Sequence, residues 1–532
     1  MQPLGSFDYV IVGAGSAGCL LANRLSRDPA RKVLLVEAGG RDDYFWIPIP
    51  VGYLYTIANP RTDWCYKTEP DEHLAGRSIH YARGRGLGGC SSINAMIYMR
   101  GQKEDWDHWA ALGNRGWGWD DVLPIFKSLE DYERGAADGY GAGGELRVED
   151  PRVRWDVLDA FREAAAECGI PPVKVFNNGD NFGCAYFQVN QRRGRRWSAT
   201  NAFLRPVLHR PNLTVLTDCL VTRVRMNGKA AQGVELRKGG QALFAEAKRE
   251  TILAAGAIGS PQLLQLSGVG PGALLQAMQT PVVHDLPGVG ENLQDHLQIR
   301  MQYKVRDCKT LNGVANSLLG KGLMALEYFA LRTGPLTMPP SQLGAFAKSD
   351  ASQPTANIEW HVQPLSLDKF GDPLHSFAAI TPAVCNLRPS SRGWVRIKSP
   401  EVSQHPEIRL NYLSTEDDRK IAVDGMRFTR RIMAAKAMAK YAPEEHRPGA
   451  SIANDDELGK AAGELGTTIF HPVGTCKMGR DAMAVVDDEL KVRGLEKLRV
   501  VDASVFPRIT SGNTNAPTYV IAEKGARAIL KT

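Results

Sequence analysis

The sequence predicts an α/β protein in which a domain with a parallel sheet is interleaved with an α+β domain built on an antiparallel sheet. Three observations predict this architecture. An apolar strand, a glycine-rich turn and a helix follow one another at the start of the chain. Glycine-rich segments return near residue 84, near residue 256 and after residue 500, and alternating apolar and polar segments lie between them. Because 532 residues exceed the size at which one hydrophobic core usually stops growing, two domains are expected.

The first elements are a strand, a tight turn and a helix. Residues 9–12 are continuously apolar, which is typical of a strand buried on both faces, and the helical stretch 19–25 follows the turn 13–18. The glycines of the turn permit the bend, let the backbone approach a pyrophosphate, and allow the helix to pack closely on the strand. Since the helix N-terminus then points at the phosphates, the pattern predicts a Rossmann-like dinucleotide site. Its predicted contacts are Gly13, Gly15, Ser16, Ala17 and Gly18.

A carboxylate at the end of the second strand refines this prediction. Residues 32–36 form another apolar stretch, and Glu37 follows it, nineteen residues after Gly18. A carboxylate in this place accepts hydrogen bonds from a ribose with free hydroxyl groups. The pattern therefore favours FAD or NAD over NADP, and it does not separate the first two.

Composition and charge exclude several classes of protein. The chain is 43% hydrophobic and 23% charged, and it has no apolar run of the ~18 residues that a membrane-spanning helix needs. Its nine cysteines show neither CxxC pairing nor zinc-ligand spacing, and the first residues lack a basic signal region, so a cytoplasmic protein without a metal site is expected. The net charge of +7 is spread along the chain, which does not indicate a nucleic-acid partner. The densest basic patch, 192–196, is interpreted as a solvated loop rather than as a phosphate or lipid contact.

Three further segments resemble the signatures of the glucose-methanol-choline (GMC) oxidoreductase family. They are the segment 83–96, the segment 256–270, and a C-terminal pair made of 470–479 and 501–517. Weaker agreement, as in 286–296, fills the gaps, so the resemblance covers nearly the whole chain. The resemblance implies a flavoprotein with FAD as its cofactor. The motifs are spelled more as in bacterial alcohol dehydrogenases and choline-dehydrogenase-like members than as in fungal glucose oxidases.

The resemblance also divides the chain between two domains. Residues 358–362 and 393–397 alternate as strands of an antiparallel sheet do, and one face of that sheet is expected to lie over the flavin. The segment 331–345, rich in Gly, Pro and Met, is either a flexible lid or an ordinary surface loop. The assigned blocks are 1–155, 214–298 and 470–532 for the FAD-binding domain, and 156–213 and 299–469 for the substrate-binding domain.

The residues around the expected flavin agree with the resemblance. Gly88 and Gly89 remove side chains where the backbone must lie against a flat ring, and residues 94–96 would present backbone donors to the flavin N5 and O4 edge. Family members that bind FAD covalently carry a His before the Asn of this motif, and Ile93 stands there instead, which implies non-covalent FAD. The other implied contacts are Ala38, Gly84, Asn94, Ala95, Met96, Val221, Ala255, Gly256, Asp502, Ala503, Asn515 and Pro517.

A catalytic pair is implied as well. Alcohol oxidation needs a base for the hydroxyl proton, while the flavin N5 accepts the hydride from the carbon. His471 matches the catalytic His of the family, and Asn513 matches its partner position, which holds either His or Asn. An amide can hydrogen-bond the substrate oxygen without competing for its proton. The resemblance thus implies that His471 is the base.

The substrate is expected to be a primary alcohol of aliphatic, polyether or aryl type. Trp360, Phe377, Trp394 and Phe470 suggest an apolar pocket, and each is equally consistent with a place in the core. Two alternatives stay open. One is a choline-dehydrogenase-like enzyme, for which the sequence identifies no ammonium site, and the other is a lyase or decarboxylase on the same scaffold. The electron acceptor is oxygen or a quinone, and a quinone would imply peripheral contact with a membrane.

Overall fold

The first strand, Gln2–Val12, lies inside a seven-stranded sheet. The structure, a computed structural model, describes residues 1–369 and 372–531. Val33–Val36 runs parallel to the first strand, and all of its residues are buried, as expected for a strand covered on both faces. The predicted parallel sheet is confirmed, with an antiparallel hairpin added at one side. Across the sheet the strands are Leu213–Leu216, Val33–Val36, Gln2–Val12, Gln241–Leu253, Ala230–Lys238 and Cys219–Asn227, with Leu498–Val500 beside Gln241–Leu253.

Two helices meet at the glycine-rich turn. In the first, Ser16–Leu25, a Cβ on Gly18 would lie 1.8 Å from the carbonyl oxygen of Gly13, so only glycine lets the helix pack this closely. The second is the C-terminal helix, Asn515–Leu530. Ser16 Oγ donates to Asn515 Oδ1 at 2.7 Å, and each of these residues begins its helix. The N-termini of both helices therefore lie side by side at the turn.

The other large sheet has eight strands and is antiparallel, as predicted. The strand predicted at 358–362 is confirmed and extends over Ile358–Gln363. Since the strands of this sheet come from chain segments between those of the first sheet, the two sheets are interleaved in sequence. Its strands are Gly183–Tyr186, Leu297–Arg300, Gln302–Lys304, Leu343–Ala347, Ile358–Gln363, Ala379–Asn386, Glu444–Arg447 and Gly466–Thr468.

The strand predicted at 393–397 forms, but its predicted place was wrong. Trp394–Arg396 pairs with Glu407–Arg409 in a separate two-stranded sheet. The backbone N–H of Val395 donates to the carbonyl of Gly290 at 2.7 Å, so the outer edge of this strand is already hydrogen-bonded to a loop. It therefore has no free edge with which to join the larger sheet.

The segment 331–345 is only partly a loop. It contains a short 3-10 turn, Pro335–Thr337, and it ends in the strand Leu343–Ala347. That strand is hydrogen-bonded on both sides, to Ile358–Gln363 and to Gly183–Tyr186. Residues held in this way cannot move as a lid, so the lid hypothesis does not apply to the end of the segment.

The remaining elements surround the two sheets. In the described part of the chain, no helix is long and apolar enough to cross a membrane. The other helices are Tyr53–Thr56, Lys103–Ala111, Trp119–Leu129, Asp156–Glu167, Gly256–Leu266, Gly272–Ala277, Leu311–Ala315, Leu318–Leu331, Glu416–Met433, Lys436–Ala439 and Asp455–Leu465. Short strand pairs are Tyr66–Lys67 with His80–Tyr81, Glu130–Tyr132 with Leu146–Val148, Gln191–Arg192 with Arg195–Arg196, and Val269–Gly270 with His284–Asp285.

Candidate active site

One continuous cavity connects the glycine-rich turn with His471. It begins at the carboxyl ends of the parallel strands and reaches a face of the antiparallel sheet at Gln298, His361 and Gln363. The carboxyl edge of a parallel sheet is where ligands bind in this class of fold. The predicted site residues that line the cavity are Gly13, Gly15, Ser16, Ala17, Glu37, Ala38, Gly84, Gly89, Asn94, Ala95, Met96, Val221, Ala255, Gly256, His471, Asp502, Ala503, Asn513 and Asn515.

Three predicted contacts lie behind the wall of the cavity rather than on it, namely Gly18, Gly88 and Pro517. Gly18 lies where its helix packs on the first strand, too close to Gly13 for a side chain. Gly88 donates its N–H to the carbonyl of Ala14 at 2.8 Å and thereby joins the two glycine-rich loops. Pro517 is buried within the first turn of the C-terminal helix. These residues shape the site without facing it.

At the dinucleotide end, two loops approach so closely that side chains are excluded. A Cβ on Gly89 would lie 2.7 Å from the Cα of Gly15, and a Cβ on Gly84 would lie 2.2 Å from the backbone of Gly89. The helices that begin at Ser16 and Asn515 direct their free backbone N–H groups to the same place. Free N–H groups at helix N-termini favour a phosphate. The residues therefore fit the pyrophosphate and the flat ring of FAD.

Glu37 joins three loops at the edge of the cavity. Its Oε2 accepts from the N–H of Ala14 at 2.8 Å, and its Oε1 accepts from the N–H groups of Gly39 at 2.9 Å and Gly86 at 3.0 Å. Burial raises the pKa of this carboxyl, and the three backbone donors oppose that rise. The ribose contact stays a prediction. The structure adds a second role, because the carboxylate holds the backbone of the site together.

The backbone of His471 is fixed by a buried carboxylate, Asp295. Asp295 Oδ1 accepts from the backbone N–H of His471 at 2.7 Å. Its Oδ2 accepts from the hydroxyl groups of Thr468 at 2.6 Å and Tyr81 at 3.1 Å, and also from that of Tyr412. Since both oxygens are held by several donors, Asp295 keeps the main chain at His471 in one position.

A chain of hydrogen bonds determines which nitrogen of His471 carries a proton. His296 Nε2 lies 2.9 Å from the carbonyl oxygen of Leu387, which can only accept, so this nitrogen carries the proton of the neutral ring. His296 Nδ1 therefore accepts, and its partner at 3.1 Å, His471 Nδ1, donates. The other nitrogen, His471 Nε2, is left unprotonated and receives the amide N–H of Asn513 at 2.9 Å. His471 thus presents a lone pair beside Asn513.

The surroundings of His471 keep its ring neutral. Burial lowers the pKa of His471 well below its ordinary value of 6.5, and the charges of His296, His361 and Arg83 act in the same direction. Burial also lowers the pKa of His296. Near neutral pH, His471 can therefore accept a proton.

The aromatic residues expected around the substrate are mostly elsewhere. Of the four, Phe470 lines the cavity, and Trp360, Phe377 and Trp394 do not. Trp360 neighbours His361 on one strand, and alternation along a strand places these two side chains on opposite faces. The indole of Trp360 is fully buried in the core behind the sheet. For Trp360 the core alternative is therefore the correct one.

Apart from the cation Arg83, the described side chains that line the cavity around His471 are uncharged. Among the described residues, the acidic side chains on the cavity wall are Glu37 and Asp502, and both belong to the dinucleotide end. Two amides, Gln298 and Gln363, line the other end. The structure therefore offers hydrogen-bonding groups to a substrate there, and no carboxylate to a cation.

The sequence reasoning missed Asp295, His296 and His361 as site residues. The first two lie in 286–296, the segment that carried the weaker agreement with the family. Adjacent Asp and His residues just before the strand Leu297–Arg300 were a usable signal, since buried polar residues at a strand end often form a network. Their partner, His471, lies so far along the chain that the contact could not be read from spacing.

Known proteins resemble this chain over nearly all of its length. Residues 7–298 and 389–522 match the N- and C-terminal models of the GMC oxidoreductase family. The chain is 41% identical to an alcohol dehydrogenase [acceptor] of Pseudomonas putida, with 99% of this chain and 96% of the relative covered. It is also 41% identical to the mitochondrial choline dehydrogenase of Homo sapiens, with 98% and 89% covered.

Solved structures show the same fold. Pyridoxine 4-oxidase from Mesorbium loti aligns with a TM-score of 0.89 at 34% identity, and 98% of each chain is covered. A formate oxidase aligns with a TM-score of 0.92 at 27% identity, with 100% of this chain and 99% of the other covered. These similarities agree with the predicted fold class and extend across both sheets.

Proposed function

The chain belongs to the GMC oxidoreductase family, whose members are FAD enzymes that act on CH–OH donors, and we propose that it oxidises a neutral primary alcohol to the aldehyde. The observation that carries the proposal is the buried, neutral His471, whose unprotonated Nε2 lies on the cavity wall. When bound, FAD supplies the acceptor for the hydride of the carbinol carbon.

In the proposed mechanism, His471 and Asn513 both act on the hydroxyl group of the substrate, one as a base and the other as a hydrogen-bond donor. His471 Nε2 accepts the hydroxyl proton, and its ring then carries a positive charge beside the developing alkoxide. The amide N–H of Asn513, now 2.9 Å from Nε2, turns to the substrate oxygen and holds it. Asp295 fixes the main chain of His471, and His296 keeps its Nδ1 proton in place. Base catalysis of this kind contributes about 10²- to 10⁴-fold in rate.

A neutral alcohol is favoured over choline by the charge of the cavity wall. A quaternary ammonium is usually held by aromatic faces together with a carboxylate. Near His471 the wall carries the half-buried cation Arg83 and the amides Gln298 and Gln363. Choline would therefore be desolvated there without an anionic partner. Choline is the second candidate substrate, because the chain is similar over nearly its full length to proteins named choline dehydrogenase.

The experiment is anaerobic reduction of the bound flavin by a panel of substrates. Linear, polyether and aryl primary alcohols should bleach the oxidised flavin spectrum, and choline at the same concentration should do so at least about tenfold more slowly. If choline bleached the flavin faster than the neutral alcohols, choline rather than a neutral alcohol would be the substrate. A flavin that no alcohol bleaches would favour a lyase or decarboxylase.

We also propose that the electron acceptor is a quinone and that the enzyme contacts a membrane peripherally at its cytoplasmic side. Tyr53 and Ile57 line the cavity and pack in one apolar cluster with Tyr328, which lies on the helix Leu318–Leu331. The cavity is thus connected by packed apolar side chains to the surface of that helix. A parallel assay with oxygen and with a soluble quinone distinguishes the two acceptors, since the proposal predicts faster turnover with the quinone.

A further inference from the structure

One helix turns its apolar side to the solvent. In Leu318–Leu331, here called the apolar helix, Met324 and Tyr328 are the buried side chains. Leu319, Leu323 and Leu326 follow at intervals of four and three residues, so they share one side of the helix. They are 74%, 57% and 67% exposed. Exposed leucines in a contiguous stripe mark a contact surface rather than ordinary surface composition. The exposed large apolar residues of this helix are Leu318, Leu319, Leu323, Leu326, Phe329 and Leu331.

The apolar surface continues onto the loop that carries Phe45. The ring of Phe45 lies 6.4 Å from that of Phe329, and both are more than half exposed. Next to Phe45, the indole of Trp46 stacks on the half-exposed ring of Tyr55 at 4.1 Å. Aromatic rings that are apolar on one side and polar at one end are enriched at the surface of lipid bilayers.

Cationic side chains surround one end of this surface. The hairpin 192–196 touches the residue after the apolar helix, because a Cβ on Gly194 would lie 2.4 Å from the carbonyl oxygen of Arg332. Arg193 and Arg195 of the hairpin are exposed. The guanidinium of Arg332 lies 4.8 Å from the centre of the Tyr328 ring; burial raises the pKa of this tyrosine, and the charges of Arg332 and Arg195 oppose that rise. The hairpin 192–196, which its composition indicated to be a solvated loop, therefore lies beside the exposed leucines.

Acidic residues do not cancel this charge. Within the apolar helix the charged residues are Lys321 and Glu327, and Glu327 accepts a hydrogen bond from Thr333 at 3.0 Å. Near Phe45, the carboxylate of Asp43 is paired with Arg61 at 2.9 Å. The surface thus combines exposed leucines and aromatic rings with an excess of positive charge.

We propose that the apolar helix and the loop around Phe45 dock on an anionic lipid bilayer, with Arg193, Arg195 and Arg332 at the headgroups. The leucines then enter the boundary between headgroups and acyl chains, as the apolar face of an interfacial helix does. The cations add attraction to anionic lipids. A second copy of the chain fits less well, because a two-fold interface through this patch would bring its own arginines together.

The proposed docking would bring the enzyme to the membrane in which a quinone is dissolved. Its functional purpose therefore rests on the proposed quinone acceptor. Tyr328 of the apolar helix packs in the same apolar cluster as Tyr53, which lines the cavity, so the docked face is connected to the cavity by packed side chains. Apolar alcohols and quinones concentrate in the bilayer. Docking in this orientation would deliver both without exposing them to water.

The test is flotation of the FAD-loaded enzyme with lipid vesicles, without substrate. Vesicles of phosphatidylcholine with about 30% phosphatidylglycerol should carry the wild type upward, since this content approaches that of an anionic membrane surface. The variant Leu319→Gln/Leu323→Gln/Leu326→Gln should lose at least about tenfold in partitioning, because its apolar contact is removed. Charge reversal at Arg193 and Arg195 to Glu should lose about tenfold or more on anionic vesicles and little on pure phosphatidylcholine.

A matched control replaces three exposed apolar side chains outside the apolar helix. Leu208, Val282 and Leu530 are 47%, 42% and 49% exposed, and their change to Gln should leave flotation unchanged. All variants should reduce a soluble dye with alcohol at the wild-type rate.

Absence of wild-type flotation, or flotation of the leucine variant at the wild-type level, would overturn the docking surface. So would a wild-type dimer in sedimentation velocity that the leucine variant dissociates, since the patch would then join two copies. Flotation without alcohol oxidation would remove the proposed function and leave the docking in place.

Discussion

His296 is expected to act on the reaction through the proton of His471, without touching the substrate. In the wild type its Nδ1 lies 3.1 Å from His471 Nδ1 and accepts that proton. The variant His296→Leu has no acceptor, so a buried N–H is left without its hydrogen bond, at a cost of roughly 1–3 kcal/mol. The ring of His471 then favours the other tautomer, in which Nε2 is protonated and cannot act as a base. A penalty of this size corresponds to flavin reduction slower by about 5- to 150-fold.

His296→Asn is the matched control, because Asn and Leu have nearly the same shape and only Asn can accept from the Nδ1–H. The assay is anaerobic stopped-flow reduction by an alcohol, with FAD content and melting temperature measured in parallel. The Asn variant should recover most of the rate that the Leu variant loses. Equal rates in the two variants, whether fast or slow, would refute the reasoning, since the hydrogen bond would then carry no part of the effect.

The remaining predictions concern the cofactor site. Acid precipitation should leave the flavin absorbance in the supernatant, because Ile93 offers no nitrogen for a covalent link; flavin in the pellet would contradict this. Glu37→Ala should weaken FAD retention and lower the melting temperature of the apoprotein more than Glu37→Gln, since the three backbone N–H groups lose their acceptors at roughly 1–3 kcal/mol each, whereas the one amide oxygen of Gln can still accept from two of them. Gly89→Ala should abolish FAD binding, because its Cβ would lie 2.7 Å from the Cα of Gly15, whereas Gly76→Ala, with no atom within 4 Å, is the control for strain at a left-handed glycine.

Local patterns in the sequence predicted the dinucleotide end of the molecule well. The order of strand, glycine turn and helix needs only neighbouring residues, and the structure reproduces it at Gly13 and Gly18. Alternation likewise identified the strands at 358–362 and 393–397. It could not say which sheet each strand joins, because the partner of Trp394–Arg396 is set by hydrogen bonds to a distant loop.

The catalytic end depended on resemblance and on contacts between distant residues. His471 and Asn513 were matched to family positions, and the structure brings their side chains to 2.9 Å. The roles of Asp295 and His296 could not be predicted, since each acts through a residue more than 170 positions away in the chain. The second role of Glu37, joining three loops, could not be predicted either, because its three backbone partners are visible only in the structure.

The central claim is that His471 takes the hydroxyl proton, and stopped-flow flavin reduction across pH tests it most directly. In the wild type the rate should rise with pH only well below 6.5 and should already be level near neutral pH, because burial lowers the pKa of His471 well below its ordinary value and the ring is then neutral. His471→Ala should be slower by about 10²-fold or more and should lose this rise, while FAD stays bound. Asn513→Ala should be slower with the pH dependence kept, since an amide does not titrate. Reduction of the His471→Ala enzyme at the wild-type rate, with the same pH dependence, would contradict the account.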